Sequence, residues 1–149
     1  KIGDIFSMRG ITRCRKGSDA QLMEHLADEM QQAPEGSFIF ANFVEFDTVF
    51  GHRRDAEGYA RALEWFDAQI GPILTQSRPD DLVIFTADHG NDPTWRGTDH
   101  TREQVPVLVH GQNLPQKQIS ERVIAFQDVA ATVAAHLDVV AQGQGRSFL

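Results

Sequence analysis

LVIFTADHG, residues 82–90, joins a short apolar run to two side chains that can ligate a metal ion. The β-branched and aromatic residues from Leu82 to Thr86 favour a buried strand. Asp88 and His89 follow that strand, and Gly90 allows the chain to turn so that both side chains can reach one ion. A hydrogen-bonded loop pair is equally compatible with these two residues, so the pair alone leaves both interpretations open.

Two further strands and three helices are predicted around this segment. Ser37–Phe43 (SFIFANF) and Val105–Val109 (VPVLV) are short and apolar, and Pro106 indicates an edge or an irregular start for the second of them. Ser18 and Gln21 resemble a capping box. The first predicted helix is Asp19–Gln32. The second has an apolar face of Tyr59, Ala62, Leu63, Phe66 and Ile70, and Gly71-Pro72 should end or kink it. The third is Gln127–Leu137, with Val129, Val133 and Leu137 inward.

Strands that alternate with helices predict an α/β fold with a largely parallel sheet flanked by helices. In such sheets ligands collect beyond the carboxyl ends of the strands. Asp47 should lie just past the first strand, Asp88 and His89 past the second, and His100 in the loop before the third. One edge of the sheet would then present all four side chains.

A fifth candidate ligand, His52, follows Asp47 by five residues in DTVFGH, and Gly51 allows this loop to fold back. Mixed imidazole and carboxylate ligands suit Mn²⁺, Fe²⁺ or Zn²⁺ better than an all-oxygen Ca²⁺ site. Five ligands are too many for one catalytic ion that keeps an open position. The pattern therefore favours two metals for phosphoryl transfer, about 4 Å apart. The remaining histidines are expected to be structural or surface residues: His25, His110 and His136.

Three arginines, Arg53, Arg54 and Arg102, border the predicted cluster. An arginine at this place can bind a phosphate through its fork of donors. Pairing with Asp55 and Glu103 is the alternative, and the sequence leaves both open.

Composition narrows the classes of function. A length of 149 residues fits one domain with a sizeable core, and no apolar run approaches the roughly 18 residues of a membrane span. The net charge of −7 argues against a general nucleic-acid surface, although bound metal ions could still attract a phosphate substrate. Cys14 is the single cysteine, which predicts no internal disulfide and fits a cytoplasmic location. The chain begins at Lys1 without an initiator methionine and without a signal-peptide pattern, so we expect a piece of a longer protein.

Three stretches resemble phosphopentomutases of the alkaline phosphatase superfamily: FVEFDTVFGHRRDAEGYARAL, TADHGNDPTWRGTDHTREQVPVL and the terminal GRSFL. The resemblance runs over the whole chain. TADHG is shared with relatives such as the cofactor-independent phosphoglycerate mutases. FGHRRD followed by GTDHTRE is much more specific to the phosphopentomutase family.

This resemblance implies an alkaline-phosphatase-like core that interconverts ribose 1-phosphate and ribose 5-phosphate, and the deoxyribose pair, through a sugar bisphosphate. It implies two Mn²⁺ ions, with Zn²⁺ also tolerated. Asp47, His52 and His100 match the ligands of one ion, and Asp88 and His89 match ligands of the other. Lys1 matches a lysine that holds the distal phosphate of the substrate.

The resemblance also implies that residues 1–149 are the C-terminal portion of the metal-binding core. The N-terminal core portion and an inserted cap domain would lie upstream, together with the threonine nucleophile and another aspartate ligand. None of the four threonines near the cluster matches that nucleophile: Thr48, Thr86, Thr98 and Thr101. No catalytic nucleophile is therefore expected in this chain, and the chain alone should be inactive.

Two alternatives to a mutase are compatible with the residues. One is a metal-dependent phosphatase or phosphodiesterase with the same superfamily site. The other is a non-catalytic α/β module whose polar loops bind a partner. The mutase hypothesis requires a pentose phosphate substrate and the missing core and cap segments as partners, and it predicts neither a nucleic-acid nor a membrane partner.

Overall fold

The computed structural model describes residues 1–114 and 122–149. Within these ranges the chain forms helices α1 (Ile2–Ile5), α2 (Asp19–Gln32), α3 (Ala56–Leu74) and α4 (Phe126–His136), a π-helical turn (Phe46–Gly51), and strands β1 (Val83–Thr86) and β2 (Val107–His110). None of these helices is long and apolar enough to cross a bilayer. The chain divides into two compact units, the first formed by Lys1–Arg78 and Ile84–Val109, and the second by Pro79–Val83 and His110–Leu149.

Helix α2 begins and ends at the predicted residues, and its predicted capping box is confirmed. The Gln21 backbone N–H donates to Ser18 Oγ, and the Ser18 N–H donates to Gln21 Oε1 over 3.0 Å. Asp19, only 4% exposed, accepts hydrogen bonds from the backbone N–H groups of Val44 (3.1 Å) and Glu45 (3.2 Å). The start of α2 thus fixes the segment that leads into the π-helical turn.

Helix α3 packs its aromatic residues against the core of the first unit. The Phe66 ring lies edge-on to Phe43, Phe46 and Phe85, at centroid distances of 5.1, 6.0 and 6.2 Å. Met23, Ile70 and Ile73 form the buried centre of this cluster. Phe66 therefore contacts both the π-helical turn, which begins at Phe46, and strand β1, which contains Phe85.

The predicted end and apolar face of α3 need correction. The helix continues through Pro72 and ends at Leu74, because a proline in the last turn removes few of the hydrogen bonds that hold a helix together. Ile70 is buried as predicted, but Leu63 is 52% exposed. Leu63 lies at the margin of the apolar stripe, where the described residues do not cover it.

The expected largely parallel sheet is not confirmed. In the ranges that the structure describes, β1 pairs only with β2, and Gly90 and Thr101 form an isolated antiparallel bridge. The strand predicted at residues 37–43 is wrong, since this segment forms no strand and leaves Phe38 and Phe40 60% and 53% exposed. An apolar run becomes a strand only where a neighbour accepts its backbone hydrogen bonds, and no described strand pairs with this segment. The other two strand predictions are confirmed to within two residues.

Helix α4 organises the second unit, one residue earlier in the chain than predicted. Its buried residues are Ala131, Thr132 and Ala134, whereas the predicted inward residues Val129, Val133 and Leu137 are half-buried.

The C-terminal tail accounts for this shift of the buried face. Asp128 accepts a hydrogen bond of 2.8 Å from the Arg146 N–H, and Thr132 Oγ1 accepts one of 3.1 Å from the Phe148 N–H. The tail therefore lies along the face of α4 that carries Asp128 and Thr132. Hydrophobic spacing within a helix does not report such a contact.

Candidate metal centre

All five predicted metal ligands lie in the first unit, and the structure brings them together. Asp88 and His89 follow β1, and His100 lies in the loop before β2, as the sequence predicts. Asp47 differs from the prediction, because it lies within the π-helical turn and follows no strand. His52 is the residue that ends this turn.

The π-helical turn explains why Asp47 and His52 converge. The His52 N–H donates to the Asp47 carbonyl over 2.9 Å, which is the i→i+5 hydrogen bond of a π-helix. Residues five apart therefore lie one above the other on the same side of the turn. Gly51 permits close packing here, since a Cβ at this position would lie 2.6 Å from Asn91 Nδ2.

The Asp47 carboxylate is the centre of the cluster and is 22% exposed. Its Oδ2 lies 3.4 Å from His52 Nε2, and its Oδ1 lies 3.3 Å from His100 Nε2. The side-chain amide of Asn91 donates to the same Oδ1 over 2.6 Å. Both oxygens of this carboxylate thus face groups that donate hydrogen bonds or bind metal.

The three imidazole rings lie side by side. The ring of His100 is 3.9 Å from the ring of His89 and 4.7 Å from that of His52, measured between centroids. His52 Nδ1 is 2.5 Å from the Thr98 carbonyl oxygen. Because a carbonyl can only accept, this contact puts the proton on Nδ1 and leaves Nε2 free to ligate a metal.

The geometry fits a divalent transition metal. One potential ligand atom from each of Asp47, His89 and His100 lies within 4.8 Å of the others. A carboxylate with two imidazoles is a ligand set that Zn²⁺, Mn²⁺ and Fe²⁺ accept. This group of three takes members from both ligand sets that the resemblance implies, since His89 lies against the ring of His100 as well as beside Asp88.

Asp88 forms the other end of the cluster, where Lys1 Nζ donates to its Oδ2 over 2.9 Å. Its second oxygen, Oδ1, lies 3.7 Å from His89 Nε2. Partial burial raises the pKa of Asp88, but the hydrogen bond from Lys1 and the charges of His89 and Lys1 outweigh it, so the pKa lies below the ordinary value. The carboxylate is therefore held in the charged form that binds a cation.

The loop between His89 and His100 is held by its own polar residues. The Asp92 N–H donates to Thr101 Oγ1 over 2.7 Å, beside the bridge between Gly90 and Thr101. The Thr94 hydroxyl and N–H both donate to the Asp92 carboxylate and lower its pKa. The loop contains no regular helix or strand, as predicted, yet its fold is specified by these contacts.

The three candidate arginines have different surroundings. Arg53 and Arg102 are exposed, and Arg54 is half-buried. The Asp55 carboxylate accepts from the Gly58 N–H over 2.8 Å at the start of α3. The predicted role of these arginines in phosphate binding stays a prediction.

Sequence reasoning missed Asn91, which lies at the centre. Asn91 contacts Asp47 directly, but an asparagine next to a glycine is a common turn signal and suggests nothing more. Tyr59, on α3, has its pKa raised by burial and by the nearby charge of Asp47. The other three histidines belong to regular elements, since His25 lies on α2, His110 ends β2 and His136 ends α4.

Comparison with known proteins defines the class. The model of the metalloenzyme superfamily matches residues 3–141, and the chain belongs to this family. The chain is 49% identical to a phosphopentomutase of Rhizobium leguminosarum bv. trifolii, 51% to one of Methylobacterium radiotolerans and 45% to one of Agrobacterium fabrum. Each alignment covers 100% of this chain and 37% of the relative, so the chain spans little more than a third of the length of these proteins.

Proposed function

We propose that this chain is the C-terminal portion of the metal-binding core of a phosphopentomutase, acting between C1 and C5 of ribose and deoxyribose phosphates. The observation that carries the proposal is the convergence of Asp47, His52, Asp88, His89 and His100 in a chain about half identical to proteins of that name. Membership of the metalloenzyme superfamily supports the metal-dependent part of the proposal.

Two Mn²⁺ ions are the metals that we propose, although the same ligands accept Zn²⁺. Asp47, His52 and His100 would hold one ion, while Asp88 and His89 would help to hold the other. When bound, such ions offset negative charge on a transferring phosphoryl group. Lys1, as the family resemblance implies, would hold the distal phosphate of the substrate.

The nucleophile would come from outside this chain. Two of the nearby hydroxyls already have local partners, since Thr48 Oγ1 donates to the Val44 carbonyl over 3.0 Å and Thr101 Oγ1 accepts from the Asp92 N–H. As the family resemblance implies, we expect the threonine nucleophile and a further aspartate ligand in an N-terminal core portion, followed by a cap domain. The same upstream portion would supply the strands of a largely parallel sheet, and the chain alone would be inactive.

We propose a cytoplasmic location for the full-length protein. The test assays that protein at neutral pH with Mn²⁺ and a catalytic amount of pentose bisphosphate. Conversion of ribose 1-phosphate to ribose 5-phosphate, followed by ³¹P NMR, is the expected result. The absence of turnover with both ribose and deoxyribose phosphates, in protein that binds the metal, would overturn the proposal.

A metal-dependent phosphatase or phosphodiesterase is the second candidate, because the family model describes the whole superfamily and not mutases alone. The same NMR experiment separates the two activities. A mutase moves the phosphate signal from one ester to another, whereas a phosphatase releases inorganic phosphate.

A further inference from the structure

The guanidinium of Arg54 is surrounded by the two loops that carry His52 and His100. It is half-buried and donates to four backbone carbonyls and one side-chain oxygen: those of Gly51, Asp92, Gly97 and Asp99, and Asn91 Oδ1. Gly97 and Asp99 flank Thr98, whose carbonyl binds His52 Nδ1, and Asp99 directly precedes His100. One side chain thus binds the carbonyls on both sides of Thr98, which His52 contacts, and the second of these carbonyls directly precedes His100.

Arg54 also sets the orientation of the Asn91 side chain. Arg54 Nη1 lies 2.7 Å from Asn91 Oδ1, and Asn91 Nδ2 lies 2.6 Å from Asp47 Oδ1. A guanidinium can only donate and an ionised carboxylate can only accept, so only one of the two amide orientations satisfies both contacts. The hydrogen bond from Arg54 therefore fixes the orientation in which the Asn91 amide donates to the Asp47 carboxylate.

The backbone of Arg54 is consistent with a specific role. Its φ of 55° lies in the left-handed region, which a residue with a side chain adopts at a cost in free energy. The Arg54 N–H donates to the Gly51 carbonyl over 3.1 Å in this conformation. The turn directs the guanidinium back over the π-helical turn, toward the loop of residues 91–99.

We propose that Arg54 and Asn91 are positioning residues of the metal centre, and this inference rests on the proposed metal-dependent function. Arg54 holds the loop that carries His100 against the loop that carries His52, and Asn91 orients Asp47. Neither residue would touch the metal. Loss of such outer partners typically lowers metal affinity by about 10- to 100-fold.

The experiment measures the dissociation constant for Mn²⁺ of the full-length protein by electron paramagnetic resonance. Arg54→Met and Asn91→Ala should each weaken binding by about 10- to 100-fold. Arg61→Met and Asn113→Ala are the matched controls, since both residues are exposed, Arg61 pairs with the Glu57 carboxylate and Asn113 donates to the Asp80 carboxylate. The controls should bind Mn²⁺ as the unaltered protein does.

The double variant tests the connection between the two residues. If Asn91 acts together with Arg54, adding Asn91→Ala to Arg54→Met should weaken binding by less than the product of the two single effects. If the two single losses of Mn²⁺ affinity multiply fully in the double variant, Asn91 and Arg54 act independently and the proposed connection between them is wrong. If neither single variant changes the Mn²⁺ affinity, the positioning role itself is wrong.

Two further measurements separate positioning from folding and from the proposed function. Ala134→Gly in α4 destabilises a helix without altering these contacts, so it should lower the melting temperature while the Mn²⁺ affinity stays the same. Arg54→Lys keeps the charge but has fewer donors, so its Mn²⁺ affinity should lie between those of the unaltered protein and Arg54→Met. This variant also tests the positioning role if Arg54→Met fails to fold. If the unaltered protein binds no Mn²⁺, the proposed function fails; if it binds and the variants bind equally, only the present inference fails.

Discussion

Lys1 Nζ and Asp88 Oδ2 form a hydrogen-bonded ion pair of 2.9 Å between residues 87 positions apart in the chain. Both side chains are about half exposed, so the pair is screened by solvent and should contribute little to stability. Its main effect is on the titration of Asp88, and this effect can be measured directly.

Lys1→Met should raise the pKa of Asp88 toward the ordinary value, because the hydrogen bond and the charge of Lys1 lower it. A carboxyl with a lowered pKa stabilises the fold above its unfolded pKa, and this contribution is lost as the pH falls through the folded pKa. The ¹³C carboxyl titration of Asp88 in metal-free protein gives the value. Lys16→Met, at an exposed position, is the control. An Asp88 titration that does not move would show that Lys1 has no effect.

Asp47→Asn should weaken Mn²⁺ binding more than Arg54→Met or Asn91→Ala does, and therefore by more than the roughly 10- to 100-fold expected for those two variants. The substitution removes a charge that faces His52 and His100 and keeps the shape of the side chain. Calorimetric titration of the full-length protein measures the loss. Asp67→Asn, on the exposed side of α3, should leave the affinity unchanged. Equal affinities for the two variants would remove Asp47 from the centre.

Asp19→Asn should lower the free energy of unfolding by about 1–3 kcal/mol, because only one of its two buried acceptors remains for the N–H groups of Val44 and Glu45. Burial raises the pKa of Asp19, so its contribution to stability declines as the pH rises through the folded pKa. Urea unfolding at several pH values measures both effects. Asp28→Asn, exposed on the same helix, should change little, and a loss of similar size there would contradict the role of Asp19.

Asp128→Asn should loosen the C-terminal tail at Arg146 while leaving Phe148 in place. The N–H groups of Arg146 and Ala125 donate to the Asp128 carboxylate and lower its pKa, whereas the Phe148 N–H binds Thr132. The protection factor of the Arg146 amide, which is its exchange rate corrected for the intrinsic rate at each pH, should fall in this variant, and in the unaltered protein once the pH falls through the folded pKa of Asp128. The Phe148 amide is the internal control. Equal acceleration at both amides would indicate general loosening instead.

Local signals in the sequence predicted α2 and, to within one residue, α4, but they did not predict the four-residue α1. The capping box of Ser18 and Gln21, followed by apolar residues at helical spacing, fixed both ends of α2, because these interactions are made within a few residues of the chain. The positions of the candidate ligands Asp88, His89 and His100 relative to β1 and β2 were predicted for a similar reason, since a short apolar strand with a polar loop after it determines its own boundaries.

Contacts between distant segments were not predictable in this way. Residues 37–43 have the composition of a strand, but the pairing that makes a strand depends on a neighbour that no local pattern specifies. The π-helical turn has no periodic signal in six residues, and Asn91 becomes recognisable only once Gly51 packs against it. The hydrogen bonds of Arg54 likewise depend on carbonyls of a loop some forty residues later.

The π-helical turn also limits how this chain can change in length. Asp47 and His52 share one side of the turn because the spacing between them matches a single i→i+5 hydrogen bond. An insertion or deletion between them would rotate one side chain away from the other, even if every ligand were retained. Natural variants should therefore tolerate changes of length in exposed loops far more readily than between these two residues.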